Sequence, residues 1–253
     1  VVPAGDGWHT EPFKMTVDGD RILGRGVSDD KGAAIASLYA MKHIRESGIP
    51  MNGRVSSNLE ALEAAGFISK DEGRNPLNGK RSKSPRYRIC DNYTRFYLKY
   101  IAPHRAYIKK GAYDFVSIEQ LPGWSSVLGL QFEALVCNNL VSVMRKLELD
   151  RTLLLSAAPY IQGHTGRMES CQIDLLLQTR HTAYVVEIKR RDVIGEEVVA
   201  EVRERIGRLK VKKGVNVVPV LIYSGKLTKR VPASGFFARI IAVDELMGLG
   251  MEQ

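Results

Sequence analysis

Residues 172–191, QIDLLLQTRHTAYVVEIKRR, read as two apolar strands joined by a short polar turn around Arg180 and His181. Into this dry setting the chain puts Asp174, Glu187 and Lys189. Alternate residues of a strand face opposite ways. In AYVVEIK, Glu187 and Lys189 therefore share a face with Val185, while Tyr184, Val186 and Ile188 face away; in QIDLLL, Asp174 shares a face with Gln172 and Leu176. Paired as a hairpin, the strands bring Asp174 and Glu187 together across the ladder, where like charges are unfavourable. A divalent cation removes that conflict, and Mg²⁺ or Mn²⁺ accepts hard oxygen ligands of this kind. Such a metal lowers the pKa of a bound water and shields phosphate charge, and Lys189 is placed to orient that water or offset charge in the transition state. The competing reading is a salt-bridged surface hairpin in which Lys189 neutralises both acids. Apolar flanks on both acids, and a preceding helical pattern bearing Glu133, favour the metal site.

The surrounding pattern is α/β. SVLGLQFEALVCNNLVSVMRKL, 126–147, predicts one long helix with Leu128, Phe132, Leu135, Val136 and Leu140 on one side. TLLLSAAPYIQG predicts a buried strand, Val193 to Lys212 a charged amphipathic helix, VNVVPVLIYSG another strand, and FARIIAVDEL the last strand of the sheet.

Residues 56–110 carry 12 basic and 5 acidic side chains. A short helix from Asn58 to Ala65, a strand in FISKDE, the polar loop GRNPLNGKRSKSP and a strand in RYRICD make the back half of a winged helix. Lys80, Arg81, Lys83 and Arg86 would lie along DNA phosphates, joined by Arg190 and Arg191 after the hairpin. Wings also serve as protein–protein props. A phosphate-loop reading fails: five residues separate Gly73 from Gly79, and Arg81 stands where Ser or Thr would hold magnesium. The aromatic and basic stretch YTRFYLKYIAPHRAYIKKG reads as core with cations on its rim. His164 and His181 read as solvated loop histidines.

Residues 1–55 differ in kind. Ala33 to Arg45 is helical in pattern, ended by Gly48 and Pro50, and is preceded by Ser28-Asp29-Asp30-Lys31 between glycines. An acid at a helix mouth can bind metal or serve as an N-cap. VVPAGDGW, DGDRILGRG and the DxKG run at Asp29–Gly32 resemble the M20 metallopeptidases, in particular PepV-like dipeptidases. The resemblance implies that Asp29 is the carboxylate bridging two zinc ions. The family's His-x-Asp pair and its paired glutamates have no counterpart here, and zinc needs about four ligands, so Zn²⁺ is expected only if this fragment were completed. After Val55 the text changes character, which reads as a join.

From about Ser57 onward, YRICDNYTRFYLKYIAPHR, QIDLLLQTRHTAYVVEIKRR and IGEEVVAEVRERIGRLK resemble the DUF234 C-terminal region of prokaryotic ATPases, which is similar to the PD-(D/E)xK nuclease superfamily. That likeness implies Asp174 as the first acid, Glu187-Ile188-Lys189 as the ExK element and Glu133 as the helix acid. Ile173 stands where the pattern has proline. It also implies DNA and a P-loop ATPase domain or subunit as partners, and a fold that in some relatives binds rather than cuts.

The chain of 253 residues has a net charge of +9, all of it after residue 55, where 30 basic face 21 acidic residues. A basic balance suits polyanions. Cys90, Cys137 and Cys171 form no CxxC pair, which fits reduced thiols in the cytoplasm. No apolar run is long enough to span a bilayer. The expectation is an α/β chain in three parts: an M20 peptidase-like fragment at 1–55, a partial winged helix with a linking helix at 56–117, and a restriction-endonuclease-like mixed sheet flanked by helices at 118–253. Its expected work is metal-dependent phosphodiester hydrolysis of DNA. The alternatives are a non-catalytic binding module of the same fold and an inactive remnant of an M20 zinc dipeptidase.

Overall fold

The computed structural model describes His9, residues 16–18, 21–23, 54–81, 86–114, 116–164, Gly166 and residues 168–248. The chain divides into two compact units, 1–69 and 70–253. In the first, β1 (Thr16–Asp18) and β2 (Arg21–Leu23) form an antiparallel ribbon with Asp18 opposite Arg21. α1 spans Arg54–Ala64. Gly66 follows it with a φ of 75°, the left-handed conformation that closes a helix and that glycine adopts without strain. The division falls inside β3 (Ile68–Asp71), which makes a two-stranded sheet with β4 (Arg86–Ile89).

The second unit continues through α2 (Asn92–Phe96), a wide turn over Tyr97–Ile101 and α3 (Arg105–Ile108). The aromatic stretch here is core at its centre. Tyr100 is buried, its hydroxyl donates to the Pro122 carbonyl at 3.0 Å, and Phe96 and Trp124 pack against its ring. Lys99 lies over the same ring at 5.5 Å. Tyr93 and Tyr107, at the two ends, stay exposed.

The expected single helix over 126–147 is two, α4 (Trp124–Asn138) and α5 (Leu140–Lys146), bent by 75°. Asn139 causes the break: its side-chain amide donates to the Leu135 carbonyl at 2.7 Å, and its φ of −111° and ψ of 41° leave the helical region. A five-stranded sheet follows in the order β5-β6-β7-β8-β9. It comprises β5 (Ser156–Gln162), β6 (Cys171–Gln178), β7 (Thr182–Ile194), β8 (Asn216–Leu227) and β9 (Arg239–Ala242). β6 runs antiparallel to both β5 and β7, and β7, β8 and β9 run parallel, so the sheet is mixed. α6 (Glu197–Arg208) connects β7 to β8, and α7 (Arg230–Ala233) lies between β8 and β9. Two expectations need correction at the ends. Leu153 and Leu155 are exposed, in and just after a 3₁₀ turn, so the strand begins at Ser156. The VDEL of the last segment is helical, α8 (Val243–Met247), with Asp244 and Glu245 in its first turn, where acids favour a helix start.

Apolar clusters cover both faces of the sheet. Ile173, Leu176, Val185 and Leu221 pack with Val198, Val199 and Val202 of α6. Leu175, Leu177, Val186, Ile188, Val220 and Ile222 pack with Phe132 and Val136 of α4, Val143 of α5 and Leu246 of α8. Burial on both faces explains why IDLLL and YVVEI are nearly continuous in apolar residues. No single helix among the described residues is long and apolar enough to cross a membrane.

Two irregularities shape the rim of the sheet. Pairing of β5 with β6 passes from Ala158↔Leu176 to Tyr160↔Ile173, so β6 carries one extra residue opposite Pro159. This is a β-bulge, and Pro159 has no N–H to lose there. Strict alternation fails as a result: Ile173 and Leu176, an odd and an even position, join one cluster. In β7 the pairing with β8 shifts between Arg190 and Val193, opposite Gly225. Gly225 has a φ of 118°, and a Cβ on it would lie 1.7 Å from the Arg191 carbonyl oxygen, so only glycine fits.

Candidate functional site

The hairpin ladder of β6 and β7 ends at Leu175↔Val186. The next residues in that register are Asp174 and Glu187, and there the strands part. The backbone N–H of Ile188 donates not to a strand carbonyl but to Asp174 Oδ2, at 3.0 Å. The bulge in β6 frees Asp174 from the regular pleat and lets its carboxylate reach the β7 backbone. Glu187, the neighbour of Ile188, is 4% exposed, one of the four buried polar or charged side chains among the described residues.

α6 supplies the counter-charges. Arg205 Nη1 donates to Glu187 Oε2. Lys189 Nζ lies 2.6 Å from Glu201 Oε2 and 3.5 Å from Glu187 Oε1. Glu201 and Arg205 stand four apart, one helical turn, so both point at the sheet edge from the same face of α6. Sequence reasoning missed them. Their signal was the i,i+4 acid–base pair within an amphipathic helix, which is indistinguishable from an ordinary solvated face until the partner strand is known.

α4 brings the third acid. Glu133, half-buried, lines the same cavity of about 330 Å³ as Asp174, Glu187, Lys189, Arg190, Arg191 and Arg205. Burial pushes the Glu133 carboxyl up to about 7, and the Asp174 charge adds to this against Arg88, Arg95 and Arg205. Burial, with Asp174 beside it, likewise raises Glu187 to about 7 despite Arg205 and Lys189. Asp174 is raised too, by burial, although the Ile188 N–H, Arg205, Lys189 and a hydrogen bond with Glu187 oppose the shift. Lys189 and Arg205 pair with Glu187, and Lys189 and Arg191 with Glu201. The structure brings Asp174, Glu187, Lys189 and Glu133 into one place.

Among the described residues, no group of three or more His, Cys, Asp or Glu side chains is arranged to hold a metal ion. The pair Asp174 and Glu187 is what remains for a hard cation. Magnesium is commonly held by one or two carboxylates and completes its shell with water and phosphate oxygens.

The other expected site residues are dispersed. Asp29 and Lys83 lie outside the described residues. Lys80 and Arg81 are exposed, at the end of a tight turn rather than an open loop. Asn75 Oδ1 accepts from the Leu77 N–H at 2.9 Å, and Arg74 bridges to Arg81. The start of the turn is docked: Gln178 Nε2 donates to the Arg74 carbonyl at 2.7 Å and the Lys212 N–H to the Pro76 carbonyl at 3.0 Å. Arg86 is exposed on β4, Arg190 is half-buried, and Arg191 is paired with Glu197 at 3.4 Å. His164 and His181 are exposed.

Comparison with known proteins resolves the amino-terminal part. Residues 1–65 match Peptidase family M20/M25/M40. A putative dipeptidase of Staphylococcus saprophyticus is 47% identical over 55 residues, which is 22% of this chain and 12% of that protein. The Beta-Ala-Xaa dipeptidase of Lactobacillus delbrueckii is 39% identical over 72 residues, 28% of this chain and 15% of the relative. The chain therefore spans about an eighth of the length of these relatives. The family match runs to the end of α1, ten residues beyond the join expected near Val55. Among solved structures, protein VC1899 of Vibrio cholerae aligns over 88% of this chain and 50% of its own, with 12% identity and a TM-score of 0.37.

Proposed function

We propose that the second unit is a restriction-endonuclease-like, DUF234-type domain that hydrolyses DNA phosphodiesters with Mg²⁺ or Mn²⁺, and that the M20-like segment has no dipeptidase activity of its own. The observation that carries the first half is the meeting of Asp174 and Glu187 where β6 and β7 part, with Lys189 beside them. An ordinary structural pair balances its charges. Here burial holds the Glu187 and Glu133 carboxyls up to about 7 although cations lie beside both.

Asp174 and Glu187 would hold the metal, which when bound would lower the pKa of a coordinated water and offset phosphate charge. Glu201 fixes Lys189 at 2.6 Å, so the ammonium needs no reorganisation to face charge developing on the phosphate. Glu133, titrating near neutrality, can hold or release a proton at the pH of reaction. Arg205 keeps Glu187 in place. β3 and β4 would act as the wing beside the site, and a P-loop ATPase would be the partner that delivers DNA.

A second reading has its own observation. Both Glu187 oxygens are already engaged, one with Lys189 and the other with Arg205, as in a non-catalytic module that docks DNA or an ATPase. Cleavage of labelled oligonucleotides by the full chain, with Mg²⁺ or Mn²⁺, decides between them. The expected result is metal-dependent cleavage that falls by about 10²–10³ in Asp174→Ala, Glu187→Ala and Lys189→Ala while DNA binding persists. No cleavage with any divalent ion would leave the docking module. For the amino-terminal segment, incubation with dipeptides and Zn²⁺ is expected to give no hydrolysis, because a bridging carboxylate alone does not make a four-ligand zinc site. Turnover there would overturn that half.

A further inference from the structure

A second cavity, of about 310 Å³, adjoins the acidic site and shares Glu133, Gln172 and Asp174 with it. Its outer walls come from β4 and β5: Arg86, Tyr87 and Arg88 on one side, Pro159 and Ile161 on the other. Ile161 is 41% exposed, a large apolar side chain left open to water inside a recess. Tyr87 is half-buried and offers an aromatic wall. Arg88 is committed to structure, because its guanidinium grips Asp71 through two nitrogens, one of them at 2.9 Å, which locks β4 in position. Arg86 and Arg190 have no ion-pair partner among the described residues; Arg86 lines this cavity and Arg190 the adjoining one.

The charge pattern orients whatever enters. The carboxyls shared by the two cavities repel phosphate, while the Arg86 and Arg190 guanidinium groups, one on each cavity, attract it. A polynucleotide strand satisfies this by running its backbone from Arg86 to Arg190 and turning a base inward against Tyr87 and Ile161. The exposed Gln172 amide has a donor and an acceptor for the base edge. The volume is at the low end for ligand cavities, which run from about 300 to 1,000 Å³. That leaves room for a single base turned inward.

We propose that this cavity takes one unpaired nucleotide, and so makes single-stranded DNA, in preference to blunt duplex, the substrate of the adjoining carboxylate site. The proposal rests on the phosphodiester reading above for its chemistry but not for its binding. Fluorescence anisotropy of the full chain, with Ca²⁺ in place of Mg²⁺, tests it on a labelled oligothymidylate, a blunt duplex of equal length and an oligouridylate. The single DNA strand is expected to bind at least about tenfold tighter than the duplex. Tyr87→Ala should weaken single-strand binding by about 5- to 100-fold, the range for losing one base–aromatic stack, and leave duplex binding unchanged. Tyr87→Phe should restore the preference, which separates stacking from misfolding. Arg86→Ala should lower the salt dependence of binding by about one phosphate contact. Equal affinity for strand and duplex, tighter binding of the RNA strand, or indifference to Tyr87→Ala would overturn the proposal. If the preference holds but no divalent ion supports cleavage, the pocket stands and the hydrolysis falls. Cleavage without the preference does the reverse.

Discussion

The two ion clusters of the second unit are built from the same groups to opposite ends. On β3 and β4, Asp71 and Arg88 form a closed account of one acid and one base, joined at both ends of the guanidinium fork. Where β6 and β7 part, Asp174, Glu187, Glu133 and Glu201 lie among Lys189, Arg190, Arg191 and Arg205 beside an open cavity. The first arrangement is complete as it stands and pins two strands. The second crowds its acids together, and burial with Asp174 beside them raises Glu187 and Glu133 to about 7 despite the neighbouring cations. A buried ion pair is poor evidence of function by itself. Several acids crowded together at a sheet edge beside a cavity, with carboxyl pKa values raised by burial, are better evidence.

Removing one guanidinium from each cluster gives the largest contrast. Arg88→Ala leaves Asp71 alone, and Arg205→Ala leaves Glu187 without its strongest neighbour. Both should lose about 3 kcal/mol of stability in chelator, the cost of stranding a buried charge, read by urea unfolding. The rescue differs. Millimolar Mg²⁺ should restore much of the loss in Arg205→Ala, because a cation can take the guanidinium's place, and none of it in Arg88→Ala. If Mg²⁺ rescues neither variant, or both alike, the distinction between the clusters is wrong.

Much of this was legible from residues alone, and the failures have physical causes. The hairpin, its turn and the acids on it follow from apolar runs bounded by polar residues. The mixed sheet was expected from the family likeness, and the helix expected over Val193–Lys212 is shorter, 197–208, because Val193 and Ile194 extend β7. The break at Asn139 was hidden because its cause is one side-chain hydrogen bond, and apolar periodicity continues across it. The bulge at Asp174 was hidden for a similar reason: alternation is a rule about regular pleats, and only the β5 partner reveals that one residue is extra. Glu201 and Arg205 could not be assigned because a helix pattern says which residues share a face but not which strand that face meets.

pH sharpens the comparison at a smaller scale. Glu187 holds its proton to about 7 in the folded protein, against an ordinary value of 4.5. Between those values the folded state binds more protons than the unfolded one, so stability is fully present below about pH 4.5 and is lost as pH rises through 7. The loss should be on the order of 2 kcal/mol in chelator. Mg²⁺ should flatten the slope by stabilising the ionised form, and Glu187→Gln should remove this group's share of it in either buffer. Thermal unfolding between pH 5 and 8 checks both. A slope that is the same with and without Mg²⁺ would mean that no cation enters the cluster.

The smallest effect concerns the exposed turn before β4. Arg81 faces Glu72 at 3.8 Å, with 71% and 47% of the two side chains exposed. Such a pair contributes roughly 0–1 kcal/mol, so Arg81→Ala should leave the urea midpoint almost unmoved, unlike Arg88→Ala a few residues along. Any role for Arg81 must then appear in binding. If the turn runs along a DNA backbone, losing one phosphate contact lowers the slope of log affinity against log salt by about 0.9, with no change in preference between strand and duplex. Tyr87→Ala should do the opposite, changing the preference and not the slope. The two variants therefore separate attraction to charge from recognition of an unpaired base, and an unchanged salt slope in Arg81→Ala would take the turn off the DNA path altogether.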